Sequence, residues 1–410
     1  MQQLDEKLAK YAVLLVETGL NVQKGGRVFI RSSVDALPLI RLVTKKAYEK
    51  GAKEVKVSLS DDALTRMHAE HQSKEELSTI HQWTIDERMY YSDEKAGFLS
   101  ITSSSPELLK GVAPEKLQAM QVASGQAFKD FSNRIQSDYH SWCVAGYPSV
   151  EWAKLVYPDK DDDEAVSALL DLILYTVRAD VEDPVEAWEE LDRSLHEKVN
   201  YLNDRKYKAL RYEAPGTDFV MELPGGHLWA GASSVNEDGE RFMANMPTEE
   251  VFSVPKKTGM NGYVSNTLPL SYGGNIIDDF KLTFKDGEVV DFEAGTGYEV
   301  LENLLNTDEG AKYLGEVALV PHDSPISNTD KLFYNTLFDE NASCHIALGS
   351  AYAFCIEGGK SMSREELEDA GLNDSISHVD FMIGSENLNI YGIDEDGDEE
   401  KIFEKGNWAF

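Results

Sequence analysis

With 410 residues, 42 % of them apolar, and a net charge of −34, the chain is long enough for two cores and too acidic to attract nucleic acid or an anionic membrane. Its three cysteines, Cys143, Cys344 and Cys355, sit in apolar settings and match no zinc-ribbon spacing, which argues against a disulfide framework and predicts a reducing, cytoplasmic location. The first residues, Met1–Ala9, are charged and helical in pattern rather than an apolar leader, and no run approaches the ~18 uninterrupted apolar residues of a membrane span.

In the first half, strand and helix patterns alternate. Apolar residues at helical spacing predict a helix over Leu4–Thr18, stopped before Gly19. Arg27–Arg31 reads as a buried strand, Asp35–Lys50 as a helix ending at Gly51, and Glu54–Ser58 as a second strand. Such a unit fits a right-handed parallel crossover. Further strands are predicted at Gly97–Thr102 and Ser141–Gly146, with helices over Lys116–Ile135, Asp163–Arg178 and Pro184–Arg205. The turn after the first strand reads Arg31-Ser32-Ser33-Val34-Asp35. It carries neither a Gly-x-Gly-x-x-Gly nor a P-loop, so nothing in this half supports nucleotide binding.

Turn signals then become frequent (Pro215-Gly216, Pro224-Gly225-Gly226, Asp238-Gly239, Asp286-Gly287) between short alternating segments. Phe280–Phe284 and Val289–Phe292 read as a hairpin across Asp286-Gly287, and Glu299–Leu305 as a helix. The acidic run Asp394–Glu400 fails the EF-hand spacing and reads as a hairpin turn between strands. The expected fold is α/β: an N-terminal parallel-sheet α/β domain over 1–206 and a C-terminal strand-rich α+β domain over 207–410 that binds metal.

The chemistry concentrates in the last third. His378 and Asp380 are two apart on a predicted strand, so both face one side while Val379 faces the other. Glu249 and Glu250 face opposite ways in extended chain, and Glu250 shares its side with Phe252 and Val254, which predicts that it is enclosed. Glu316 heads the apolar strand Val317–Val320. His345 lies among small and apolar residues, with Glu340 five positions earlier and Tyr352 shortly after. Each has a plain structural reading: a solvated acid, a core histidine, a core aromatic. Together they form a mixed nitrogen and oxygen donor set of the kind that binds zinc, cobalt or manganese. His322 lies in a predicted exposed loop, and His68 and His71 on a polar surface helix.

Three blocks, Asn245–Phe252, Asn341–Gly349 with Tyr352, and His378–Gly384, resemble the signature segments of the bacterial dinuclear metalloaminopeptidases that include aminopeptidases T, S and II. That resemblance runs over essentially the whole chain. It implies Glu250, Glu316, His345, His378 and Asp380 as ligands of two divalent ions (zinc, cobalt, manganese or magnesium), with Glu316 as the bridge. It also implies Tyr352 as an active-site tyrosine, Glu340 as an acid near the site, and a two-domain cytoplasmic homodimer enclosing a sizeable cavity. The expected reaction removes N-terminal amino acids from peptides with a free N-terminus, by attack of a metal-bridging hydroxide on the first peptide carbonyl. Tyr352 steadies the oxyanion, and Glu250 or Glu340 carries the proton to the leaving amine. The alternatives are another two-metal hydrolase, such as a phosphoesterase, and a non-catalytic peptide-binding protein. Phosphate sites recruit Arg or Lys, and none stands beside these blocks.

Overall fold

In the computed structural model, which describes residues 2–410, the first half builds a parallel sheet. Its strands are β1 (Arg27–Ser33), β2 (Glu54–Ser60), β3 (Gly97–Thr102) and β4 (Trp142–Gly146), in the order β2-β1-β3-β4. Val28, Ile30, Leu99 and Ala145 point to the face packed under the helices Gln2–Leu14, Leu37–Lys50 and Asp162–Thr176. Phe29 and Phe98 point to the other face, where they meet Tyr91, Phe131 and Trp142. Both faces are covered over this part of the sheet, as parallel sheets require.

The expected helix over Lys116–Ile135 is two helices, Pro114–Ala127 and Lys129–Gln136, broken at Phe128, whose ring lies 3.9 Å beneath the Arg88 guanidinium. Pro184–Arg205 and Gly97–Thr102 form as expected. Among the described residues the second half contains a separate two-stranded sheet, Ser233–Val235 with Arg241–Met243, and two large antiparallel ones. The larger has nine strands and includes the predicted hairpin, Asn275–Lys285 with Glu288–Thr296, and the acidic one, Asn389–Ile393 with Glu399–Glu404. The smaller has five strands. They are β5 (Ala230–Gly231), β7 (Val251–Ser253), β8 (Leu314–Leu319), β9 (His345–Gly349) and β10 (His378–Met382), in the order β10-β9-β8-β7-β5. Between β5 and β7, a two-residue strand β6 (Asn245–Met246) leaves this sheet and adds to the parallel one beside β4. One short segment, Asn245–Val251, therefore ties the parallel sheet to the five-stranded one.

His140 sits in the aromatic layer, its ring 4.6 Å from that of Phe98 and its Nε2 3.1 Å from Ser92 Oγ. Burial, with Lys95 and Arg134 nearby, pushes its pKa down to about 4. The unfolded chain therefore binds a proton here that the folded chain refuses between pH 6.5 and 4, and stability falls as pH falls through that window, by up to about 3 kcal/mol. His140→Phe keeps the stacking, and Ser92 keeps its bond from Arg134. In urea unfolding at pH 7.5 and 4.5, the variant is expected to lose less stability on acidification than wild type. An equal loss would show that His140 does not titrate this way.

Candidate active site

The site grows from one face of the five-stranded sheet. Glu316 pairs with Ala347, and Ala347 with Asp380, so two carboxylates flank a single methyl group in one row. One step along, Gly349 pairs with His378, and on the other side Ala318 pairs with His345. Small residues at the centre of this face leave room between the polar groups at its edges. Gly349 is required for a second reason: its φ is +111°, and a Cβ there would lie 2.1 Å from the Ser377 carbonyl oxygen. Glu250 enters from the β7 side on the face shared with Phe252, and Glu340 from the last turn of the helix Thr336–Glu340.

The two imidazoles are held alike. His345 Nδ1 lies 3.0 Å from the Glu340 carbonyl oxygen, and His378 Nδ1 lies 2.7 Å from that of Ser350. A carbonyl only accepts, so Nδ1 carries the hydrogen in both rings and Nε2 is directed inward. His345 Nε2 is 3.1 Å from Glu250 and 3.9 Å from Glu316 Oε1. His378 Nε2 is 3.0 Å from Glu316 Oε2 and 3.4 Å from Asp380. Two donor groups result, Glu250–Glu316–His345 and Glu316–His378–Asp380, each with ligand atoms within 4.8 Å of one another. They share Glu316, one oxygen toward each.

Electrostatics make this arrangement costly without cations. Four carboxylates and two imidazoles meet in a buried space, with Glu316 only 4 % exposed. Burial pushes Glu316 up to about 7 against the pull of His378, and the Asp380 charge adds to the rise. Burial, then the Asp380 charge, raises Glu340 well above the usual carboxylate range. Burial also pushes Asp380 upward, but the charge and hydrogen bond of His378 outweigh it and hold Asp380 low. His378 Nε2 and Asp380 Oδ1 are buried without a well-formed hydrogen bond. Inward-facing imidazole nitrogens, crowded carboxylates and orphaned polar atoms are what divalent cations would satisfy, so the donor set fits such ions.

Tyr352 packs over the site, its ring 4.8 Å from that of His378, 5.3 Å from Phe354 and 5.8 Å from Phe252. Burial and the surrounding carboxylates keep it a phenol. Both acids of the Glu249-Glu250 pair are buried, not solvated, and they diverge as alternation requires: Glu249 pairs with Arg178 at 2.6 Å, Glu250 with His345. Asn341 fixes their loop by accepting from the Glu249 amide at 2.9 Å and donating to the Leu337 carbonyl. Sequence reasoning assigned no role to Arg178 or Asn341. Asn341 stood inside a recognised block, whereas nothing local marked Arg178. His322, His68 and His71 are exposed and apart from the site.

A small cavity of about 50 Å3 reaches Glu250, Glu316, His345, Asp380 and Tyr352, and among the described residues no Lys or Arg lines it. Donors of this sort, enclosed by protein and open on one side, define a metal-dependent hydrolase. Residues 4–408 match the thermophilic metalloprotease family M29, and the chain belongs to that family. It is 53 % identical to aminopeptidase AmpS of Bacillus subtilis (strain 168) over 410 residues, the full length of both. It is 47 % identical to aminopeptidase 2 of Geobacillus stearothermophilus, covering all of this chain and 99 % of that protein. The solved structure of wild-type AmpT from Thermus thermophilus superposes with a TM-score of 0.90 at 38 % identity, over 98 % of this chain and 99 % of that one.

Proposed function

We propose that this metal-dependent aminopeptidase uses Glu250, Glu316, His345, His378 and Asp380 to hold two divalent ions, with Glu316 reaching both. The observation that carries this reading is the pair of donor groups meeting at Glu316. When bound, such ions bring a water's pKa toward neutrality and polarise the scissile carbonyl. The rest falls to the chain's own residues. The chain's net charge of −34 draws a cationic ammonium terminus toward the cavity, which favours peptides with a free N-terminus. Tyr352, kept protonated, donates to the oxyanion that develops on the first peptide carbonyl. Glu340 takes the proton of the attacking water and passes it to the leaving amine. Its position favours it over Glu250, because Glu340 lines both the small cavity and the larger one leading to it, whereas Glu250 lines only the first and faces His345. The absence of any cation from the inner cavity wall weighs against phosphate esters.

The same reading includes a division of labour between 1–206 and 207–410, ions drawn from zinc, cobalt, manganese or magnesium, a homodimer, and a cytoplasmic location. The nitrogen and oxygen donors support the range of ions. The family resemblance supports the domains and the dimer, and three buried free cysteines support the compartment. Among the described residues, no helix is long and apolar enough to cross a membrane.

Chelation followed by re-addition of one metal at a time tests the reading. Turnover of a leucyl anilide is expected to stop on chelation and return with the metals that fit. The melting temperature is expected to fall on chelation, since an ion at 100 times its Kd stabilises the fold by about 2.7 kcal/mol. Undiminished turnover in metal-free protein would reject it.

A further inference from the structure

A second, larger cavity of about 770 Å3 opens from the site and runs over the carboxyl ends of the parallel strands. Its floor can be read from the strand register. Asn245 pairs with Val144, Val144 with Ser100, Ser100 with Arg31, and Arg31 with Ser58. In-register neighbours in a parallel sheet point to the same face, and all five line this cavity. Further back along the same strands, that face carries Phe29, Phe98 and Trp142 and is closed by aromatic packing. Toward the carboxyl ends it is polar and open. Asn245 also lines the inner cavity, so the row forms a path from the candidate metal centre to Arg31.

Arg31 is the cation of this path. Its side chain is open to water yet hemmed in by protein, the situation of a group on the wall of a deep cavity. Among the described residues it forms no ion pair, and Arg88, whose charge it repels, forms none either and lies over the rings of Phe128 and Phe131. A chain with 73 acidic residues against 39 basic ones offers carboxylates freely, so a guanidinium on a cavity wall left without one is conspicuous. A guanidinium presents a planar fork of donors matched to a carboxylate. The hydroxyls of Ser58 and Ser100 flank it in register.

We propose that Arg31 receives the α-carboxylate of short oligopeptides, so that the enzyme reads both ends of its substrate. This rests on the aminopeptidase reading and adds a substrate class to it. Three strand intervals separate Asn245 from Arg31, about 14 Å at the usual spacing, and an extended peptide advances about 3.4 Å per residue. A substrate of about four or five residues spans the path with its amine at the metal centre and its carboxylate at Arg31.

The test compares leucyl-glycine peptides of increasing length as free acids and as C-terminal amides, using metal-loaded full-length enzyme. A leucyl anilide, which has no carboxylate, serves as the reference substrate. The wild type is expected to show an acid-to-amide ratio in kcat/KM of about tenfold near four or five residues, carried by KM and shrinking for longer peptides. Arg31→Met is expected to bring the ratio to about one, and Arg31→Lys to retain part of it. A wild-type ratio of one at every length overturns the inference without any variant. So does a ratio that survives Arg31→Met in protein that still cleaves the anilide. Failure of the metal-loaded wild type to cleave the anilide would instead sink the aminopeptidase reading, and this inference with it.

Discussion

Glu316→Gln is expected to lose metal and activity together while leaving the metal-free fold as stable as before, or more so. The glutamate is the one residue common to both donor groups, with Oε1 toward His345 and Oε2 toward His378. A glutamine fills the same volume but presents one oxygen and one NH2 group, so one of the two positions faces a donor instead of an acceptor. It also removes a negative charge that both ions would share. Loss of a partner behind a ligand typically costs up to ~100-fold in affinity or activity, and loss of the shared ligand should exceed that. Without ions the balance reverses. Glu316 is buried among carboxylates, and burial raises its pKa to about 7, so the charged form strains the apo site. A neutral amide relieves that cost. Elemental analysis, leucyl-anilide turnover and calorimetry of the metal-free proteins read the three parts separately. A variant that keeps its metal and its turnover would remove Glu316 from the bridge.

The site was more legible in the sequence than the space in front of it, for a physical reason. Residues that share a strand obey period two, so the common face of His378 and Asp380, and the divergence of Glu249 from Glu250, follow from alternation alone. The long helix Pro184–Arg205 was equally legible, because Asp183 and Pro184 mark its start and an apolar stripe runs through it. Other features depend on partners far away in the chain. The helix Gln82–Asp93 buries only Tyr91 and Ser92 and leaves Trp83 exposed, so its apolar periodicity is weak. Phe128, where the helix breaks, packs against Arg88, forty residues earlier. Asn245 reads in sequence as part of a turn before Pro247, and nothing nearby announces that it extends the sheet begun by β1. Arg178 meets Glu249 across 71 residues, on the side that alternation turns away from the site. The turn Arg31-Ser32-Ser33 was notable in sequence only for lacking a nucleotide motif. Its meaning comes from the register that aligns Arg31 with Ser100, Val144 and Asn245.

Tyr352→Phe isolates a group expected to act only while the oxyanion exists. The ring is fixed by Phe252, Phe354 and His378, and a phenylalanine keeps those contacts, so neither the fold nor the donor atoms should shift. What disappears is one hydroxyl. Burial and the charges of Glu316, Asp380, Glu340 and Glu250 hold it well above its ordinary value of 10, so it remains a donor throughout the range in which a peptidase is assayed. A neutral donor aimed at a carbonyl gains strength as charge develops on that oxygen, and removing one such donor costs about 10²–10³ in kcat. Substrate binding draws mainly on the amine and the cavity walls, so KM for a leucyl anilide should stay within about twofold of wild type. Metal content should be unchanged, which separates this variant from Glu316→Gln. If instead KM rises while kcat holds, the hydroxyl contributes to ground-state binding, and stabilisation of the oxyanion must come from elsewhere in the site.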